Sequence, residues 1–501
     1  MTYTSATPTI SSAGIGSGLN VDAIVTSLLA IEKRPLTRLQ TAATTMQSKL
    51  STFGQIQSLV SGLHDAAAPL FAATSFTLTS ATSSDPGSVS AGTSGTATPG
   101  LYSVGVGAQA STQTVVSASG QFVDATSVVG TGSLTITLGA YGAPDPSLPP
   151  TFTAKAAATP VTITIGPSDN TLGGIRDKIN AANAGVTASI VTDSSGSRLS
   201  LQSSATGAVN GFQVSVADSD GNNVDNLGLS RLAYDGTSPW GTQLTRTQTS
   251  ADAVAYINGI RVTSTTNSVS GAVDGVTFNL AKVGAVDPTG LPAPVTINVS
   301  RNTDAIKNSL KNFISSYNTL HGYLVQQTKY DAATKTAALL QGDSIAVSVE
   351  NQMASMLSQP STASTVFGTF SSLGVQLQKD GSLVLNESVA SAALTNLSEV
   401  SKALSTSSTT PGANGLAQRI SKWTGDLLAF SGTLPGKTKA IQSNIAKNQK
   451  DQDAFGDRLK LIEQRLRAQY TALDSTMSKA NALAKFVTQQ FSTNNNNNNN
   501  N

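Results

Sequence analysis

The 501-residue chain contains no cysteine. That excludes disulfides, thiolate nucleophiles and Cys-ligated metals together. It also suits an oxidising exterior, where an unpaired thiol is a liability. Histidine is nearly missing, with only His64 and His321. Charge is sparse: 12% of residues are charged and the formal net charge is +2. No stripe of Lys and Arg interleaved with aromatics occurs, so nucleic acid is not an expected partner. No run approaches the roughly 18 apolar residues that span a bilayer, so no membrane is expected either. The first charged side chain is Asp22, and the opening lacks the basic region and apolar core of a secretory signal. Export, if it occurs, is expected without a cleaved signal peptide.

Glutamate is absent from Lys33 to Val349, where every carboxylate side chain is Asp. Glu favours helices and Asp favours turns and caps. The middle of the chain is also rich in Gly, Thr, Ser and Val, a composition of strands joined by tight turns. Strands are predicted at Tyr102–Val106, Ser133–Gly139, Val161–Gly166, Ala188–Thr192, Arg198–Ser203, Phe212–Val216, Ala253–Ile257, Thr277–Leu280 and Val295–Val299, with one embedded helix at Thr171–Ala182.

Both ends read as helix. One helix begins near Asn20 or Val21 with Ile24, Leu28 and Ile31 on its apolar face, and Pro35 interrupts it. A second runs from Leu36 to Leu70, and its apolar residues, among them Leu39, Met46, Leu50, Phe53 and Val60, recur at steps of three and four. Near the other end, Leu416–Phe430 reads as helix, followed by a turn through Pro435 and Gly436 and a helix from Lys437 to Gln490. That helix is about 80 Å long and carries a stripe from Phe455 through Leu459, Ile462 and Leu466 to Phe491. Thr303–Lys329 forms a further helical block, and Gly374–Leu385 a hairpin turning at Asp380-Gly381.

The fold class is therefore α+β and multidomain: long N- and C-terminal helices form a coiled-coil or helical-bundle leg, and β-rich head domains are inserted between them. Residues 1–20 are read as a disordered segment, 21–75 as the N-terminal leg, and 76–300 as the head, in two domains with one nested near 130–250. Residues 301–435 make a helical leg domain with a small hairpin, 436–493 the long C-terminal helix, and 494–501 a poly-Asn tail.

Little chemistry is gathered. His64 and His321 lie inside helical patterns and read as exposed or satisfied helix residues, not as catalytic bases. The stretch DSDGNNVD at 218–225 invites a calcium reading, but its Gly falls at the fourth place and no Glu follows, so a plain turn is favoured. Gly14-Ile15-Gly16-Ser17-Gly18 follows no strand, and Asn170–Ile175 lacks the Lys of a phosphate loop, so the latter reads as a helix cap. No catalytic residue, cofactor or metal is assigned, and no enzyme is expected.

The segments IGSGLNVDAIV at 15–25 and EKRPL at 32–36 resemble the N-terminal part of flagellar filament-capping proteins, the hook-associated protein 2 (FliD) family. TLGGIRDKINAANAGVTASIV at 171–191 resembles a motif of flagellar hook and filament heads. The stretches at 256–280, 374–387 and 465–491 resemble later parts of the cap family, in the family's order. The resemblance implies a homo-oligomeric ring at the filament tip, extracellular, exported unfolded, with heads as a plate and helices as legs. Flagellin would be retained and fold beneath it, and filament-tip or junction proteins and an export chaperone are implied as partners. Ile24, Leu28, Ile31, Leu473, Met477 and Val487 are assigned to contacts with neighbouring subunits or the filament. The alternative is that they only hold the rod together within one subunit, as Leu39, Met46, Leu50, Phe53, Val60, Leu459, Ile462 and Leu466 are expected to do. The competing functional reading is a surface adhesin whose head binds host glycan or mucin.

Overall fold

The computed structural model describes residues 20–95, 97–142, 151–236, 243–286, 288 and 290–497. The segment 1–19, including the Gly14–Gly18 stretch, and the last residues of the Asn tract lie outside the described residues. Its helices are α1 (Val21–Glu32), α2 (Arg34–Phe71), α3 (Leu172–Ala181), α4 (Thr303–Thr328), α5 (Ser344–Ser358), α6 (Glu387–Ala393), α7 (Leu397–Ser405), α8 (Leu416–Leu428) and α9 (Thr433–Asn497). The chain divides into two compact units, one built from both chain ends and one from Thr74–Asn302. Among the described residues no helix is long and apolar enough to cross a membrane.

In the first unit, Asn20 caps α1 by accepting from the Ala23 N–H at 2.9 Å. Lys33 is the joint between α1 and α2, and Pro35 sits in the first turn of α2, where its missing N–H costs nothing. The C-terminal half of α2 is embedded among α4, α8 and α9: Phe53, Ile56, Val60, Leu63, Ala67 and Leu70 are all buried. In its N-terminal half Leu39, Met46 and Leu50 are half-buried and most other residues are exposed.

The expected turn at Pro435-Gly436 is not there. α9 starts at Thr433 and runs through both residues without a break. Proline is tolerated so near a helix start, because the first N–H groups have no intrahelical partner. The helix also continues past Gln490 into the Asn tract, to Asn497. At 65 residues it is about 98 Å long.

Asp343 ties three helices of this unit together. Its carboxylate caps α5 by accepting from Ile345 N–H at 3.1 Å and pairs with Lys437 of α9 at 2.8 Å. The Lys437 ammonium in turn lies 5.3 Å from the centre of the Phe53 ring of α2. The hairpin pairs Val375–Leu377 with Leu383–Leu385. Gly381 at its tip has φ +84°, and a Cβ there would come within 2.6 Å of the His321 ring.

The second unit has two cores. One lies between a five-stranded antiparallel sheet and a three-stranded one. The larger sheet takes in order Thr79–Ser83, Pro294–Arg301, Gly100–Ala108, Ala253–Ile257 and Ile260–Ser264. The smaller takes Ser268–Val273, Val276–Leu280 and Val89–Thr93. Val104, Val106, Ala255, Phe278, Ile297 and Val299 fill this core. The other core runs from Val115 to Leu244 in sequence and is nested inside the first. Its strands form two four-stranded sheets, led by Gly132–Tyr141 and by Gly196–Ser203, with α3 packed through Leu172, Ile175 and Ile179. Thr171 caps α3 by accepting from Gly174 N–H at 3.1 Å. A Cβ at Gly174 would stand 2.6 Å from the Asp169 carbonyl oxygen, so the Gly-Gly pair belongs to the cap.

Asp343 makes the leg testable. Burial pushes its carboxyl up, but the Lys437 hydrogen bond and charge, with two backbone N–H donors, outweigh this and hold it below its ordinary value. A depressed folded pKa stabilises above the unfolded value of about 3.9, and that stability is lost as pH falls through the folded value. Asp343→Asn keeps a capping oxygen and loses the charge. Its denaturation midpoint is expected to fall below the parent's near neutral pH, with the gap closing in titrations below about pH 4. Asp343→Ala loses the cap as well and should cost about 1 kcal/mol more.

Candidate assembly surfaces

Both histidines and the carboxylates of the 218–225 loop are occupied with structure. His64 Nδ1 lies 2.8 Å from Thr424 Oγ1, joining α2 to α8, and His321 Nε2 lies 3.0 Å from the Asp380 carbonyl oxygen at the hairpin tip. In the 218–225 loop, Asp218 accepts from Ser230 N–H at 3.0 Å, Asp220 from Asn222 N–H at 2.8 Å and Asp225 from Leu227 N–H at 3.1 Å. These oxygens close turns. Burial pushes the Tyr141 phenol up, and its hydroxyl donates to the Phe212 carbonyl at 3.1 Å inside the nested head core. Among the described residues no three or more His, Asp or Glu stand close enough together to hold a metal ion.

What remains conspicuous is apolar surface on α9. Leu459 is buried, and Ile462, Leu466 and Tyr470 pack against Val21, Val25 and Leu29 of α1. Arg467 fixes this register by pairing with Asp22 at 2.6 Å while also binding Glu463 at 3.0 Å. Beyond Tyr470 the same stripe continues through Leu473, Met477, Val487 and Phe491, and no described element covers it. Leu473 is 46% exposed and Phe491 71%. Leu483 and Phe486 widen the bare face. From Leu473 to Phe491 it extends for about 27 Å.

The face of α1 turned to α9 is Val21, Val25 and Leu29, not Ile24, Leu28 and Ile31. The two sets lie about a quarter turn apart on the helix. Ile24 and Leu28 are half-buried, and Ile31 is 58% exposed. The sequence shows both sets at helical spacing, and only the Asp22–Arg467 pair and the α9 stripe decide which is covered. Leu483 and Phe486 escaped sequence reasoning because they fall off the single heptad stripe. Phe430 escaped because the helical pattern was carried through it, whereas it stands in the turn between α8 and α9.

A rod whose apolar seam outruns its cover, a β-rich insert and polar groups committed to turns and caps define an assembly protein. The chain matches the family described as flagellar hook-associated protein 2 C-terminus over residues 250–482 and its N-terminus over 17–113, and the flagellin hook IN motif over 151–205. It is 28% identical to flagellar hook-associated protein 2 of Escherichia coli over 497 residues, covering 97% of this chain and 98% of that one. It is 29% identical to B-type flagellar hook-associated protein 2 of Pseudomonas aeruginosa over 499 residues, covering 96% and 97%. Its fold is similar to the crystal structure of the flagellar cap protein FliD from Escherichia coli, with TM-score 0.57 and 26% identity over 78% of this chain and 99% of that one. The chain belongs to the flagellar hook-associated protein 2 family, the structural cap proteins of the flagellum.

The covered and bare halves of the seam should respond oppositely. Val25→Ala removes two buried methyl groups and should lower the hydrogen-exchange protection of the α1 amides by about 2 kcal/mol. Met477→Ala, on the bare half, should leave protection and melting within about 0.5 kcal/mol of the parent.

Proposed function

We propose that this chain forms the filament cap as a ring of identical copies. It retains exported flagellin at the tip and promotes its folding and insertion during elongation. The observation that carries this reading is the bare half of the α9 seam. An apolar stripe of this length facing water is an interaction surface, and its heptad spacing suits another helix. Leu473, Met477 and Val487, with Ile31 and the half-buried Ile24 and Leu28, are the leg residues offered to a neighbouring copy, to the filament or to junction proteins. An export chaperone would cover the same stripe before export. The β-rich insert supplies the plate under which flagellin folds.

Surface adhesion to host glycan or mucin is a second reading. One observation favours it: Val123, Val128, Val224 and Leu227 are all exposed on the nested head domain. The loops carrying them are joined by the Gln121–Asn226 hydrogen bond at 3.1 Å.

A strain lacking the chain is expected to be non-motile and to shed monomeric flagellin into the medium. Normal filaments and motility in that strain would overturn the cap and leave adhesion. Within the cap reading, the pair Met477→Asp and Val487→Asp should leave the purified chain folded and its melting unchanged, yet abolish cap assembly and motility. Retained motility would remove the distal α9 face from the interface.

A further inference from the structure

An asparagine followed by glycine can react with its own backbone. The glycine nitrogen attacks the asparagine side-chain carbonyl, and no Cβ on the glycine stands in the way. The sequence holds three such pairs: Asn210-Gly211, Asn258-Gly259 and Asn414-Gly415. The fold treats them differently.

In two pairs the glycine is buried and its N–H is already bonded. Gly211 donates to the Ala208 carbonyl as the strand Gly211–Asp218 begins. Gly415 donates to the Thr406 carbonyl at 2.7 Å. Their asparagines are half-buried and held. Asn210 Nδ2, the group that would have to leave, donates to the Thr206 carbonyl at 2.6 Å, and its Oδ1 accepts from Lys155 Nζ at 2.7 Å. Asn414 Oδ1 accepts from Ser408 N–H at 2.7 Å.

Asn258-Gly259 is the two-residue turn between Ala253–Ile257 and Ile260–Ser264, the last two strands of the five-stranded sheet. Asn258 has φ +51° and Gly259 φ +82°, the left-handed pair such a hairpin turn needs. Both residues are exposed. Among the described residues the Gly259 N–H has no hydrogen-bond partner, and neither has Asn258 Nδ2. A Cβ at Gly259 would meet nothing within 4 Å, so the nitrogen is open to its neighbour and to water.

The Asn258 side-chain carbonyl is also primed. Its Oδ1 accepts from the Ser103 N–H at 2.9 Å, while the Asn258 N–H donates to the Ser103 carbonyl at 2.8 Å. A backbone donor fixed on a carbonyl oxygen stabilises the negative charge that gathers there when a nucleophile adds.

We propose that Asn258 is a deamidation site, converted in the folded chain while Asn210 and Asn414 are preserved. The Gly259 nitrogen loses its proton and bonds to Asn258 Cγ. The Cγ–Nδ2 bond breaks and ammonia leaves with that proton. One water then opens the succinimide ring, at Cγ to give aspartate or at the main-chain carbonyl to give isoaspartate. The balance is one ammonia out and one water in, with nothing oxidised or reduced. Aspartate keeps an oxygen for the Ser103 N–H, so the hairpin survives. Isoaspartate adds a methylene to the main chain of a turn closed by two residues. Ile260–Ser264 pairs in this sheet only with Ala253–Ile257, so it is the strand that loosens. The turn is a slow, one-way switch at the edge of the head.

The test is peptide mapping by mass spectrometry on the full chain, held folded in mildly alkaline buffer beside the same chain in denaturant. Asn258 is expected to convert in the folded chain at a rate close to that in the unfolded one. Asn210 and Asn414 are expected to convert at least about tenfold more slowly when folded, because buried hydrogen bonds must open first. Hydrogen-exchange protection of the Ile260–Ser264 amides should fall in the isoaspartate fraction and hold in freshly prepared Asn258→Asp. If Asn258 stays an amide in the folded chain while the unfolded chain converts, the Ser103 contact protects the turn and the proposal is overturned. If all three asparagines convert at one rate in the folded chain, the fold selects none of them, and the proposal fails as well.

Discussion

Everything in the leg depends on one seam: the apolar stripe of α9 against α1 and α2, two segments from opposite ends of the chain. Neither side is stable alone. A helix of this kind draws most of its stability from burying its apolar face, and among the described residues α1 and α2 cover the α9 stripe only as far as Tyr470. Zipping the ends together obliges the chain to leave the leg at Ala73 and come back at Thr303. The insert meets that demand locally, because its first and last strands pair antiparallel, from Thr79 opposite Arg301 to Ser83 opposite Ile297. A second domain is nested within the insert without disturbing this closure, since its core begins and ends between neighbouring strands of the first.

The Ser- and Thr-rich composition of the insert has a structural use. Hydroxyls and amides take the place of missing strand partners in the nested domain. The side chain of Gln113 is fully buried and acts as a short strand: its Nε2 donates to the Phe212 carbonyl at 2.7 Å and its Oε1 accepts from the Phe212 N–H at 3.2 Å. Ser203 Oγ accepts from Gln113 N–H at 3.0 Å, and Ser117 Oγ from Leu199 N–H at 3.0 Å. Buried backbone groups left without partners are costly. A head with few large apolar residues holds its strands through such pairings as well as through its small cores. Several strands that hold the sheets together, Thr79–Ser83 and Val89–Thr93 among them, are too rich in Ser, Thr and Ala to announce themselves by alternation, so they were not among the predicted strands.

The surface offered to partners in the cap reading is apolar surface that the described residues leave uncovered. Among the described residues its location depends on where covers end: α1 packs on the seam as far as Tyr470 and the stripe beyond is bare, and α8 stops at Leu428, so the Phe430 ring is exposed. Such endings are set by caps and turns of one or two residues. The Gly432 turn and the Asn20 cap are weak marks in a sequence, and they decide what a partner meets.

By itself the sequence determined the helical ends, the β-rich middle, an interruption close to Pro35 (it falls two residues earlier, at Lys33), the α3 cap, the α4 block and the hairpin. Each is a local matter of propensity, periodicity or turn chemistry, and each is readable over a few residues. The heptad stripe of α9 was legible along its whole length for the same reason. Tertiary structure alone decided which face of α1 the stripe covers, that helix runs unbroken through Pro435 and Gly436, how the insert divides into nested cores, and where the seam lies bare. Those outcomes depend on contacts between residues hundreds of positions apart, such as Asp22 with Arg467 and Asp343 with Lys437, and no local pattern encodes such distances.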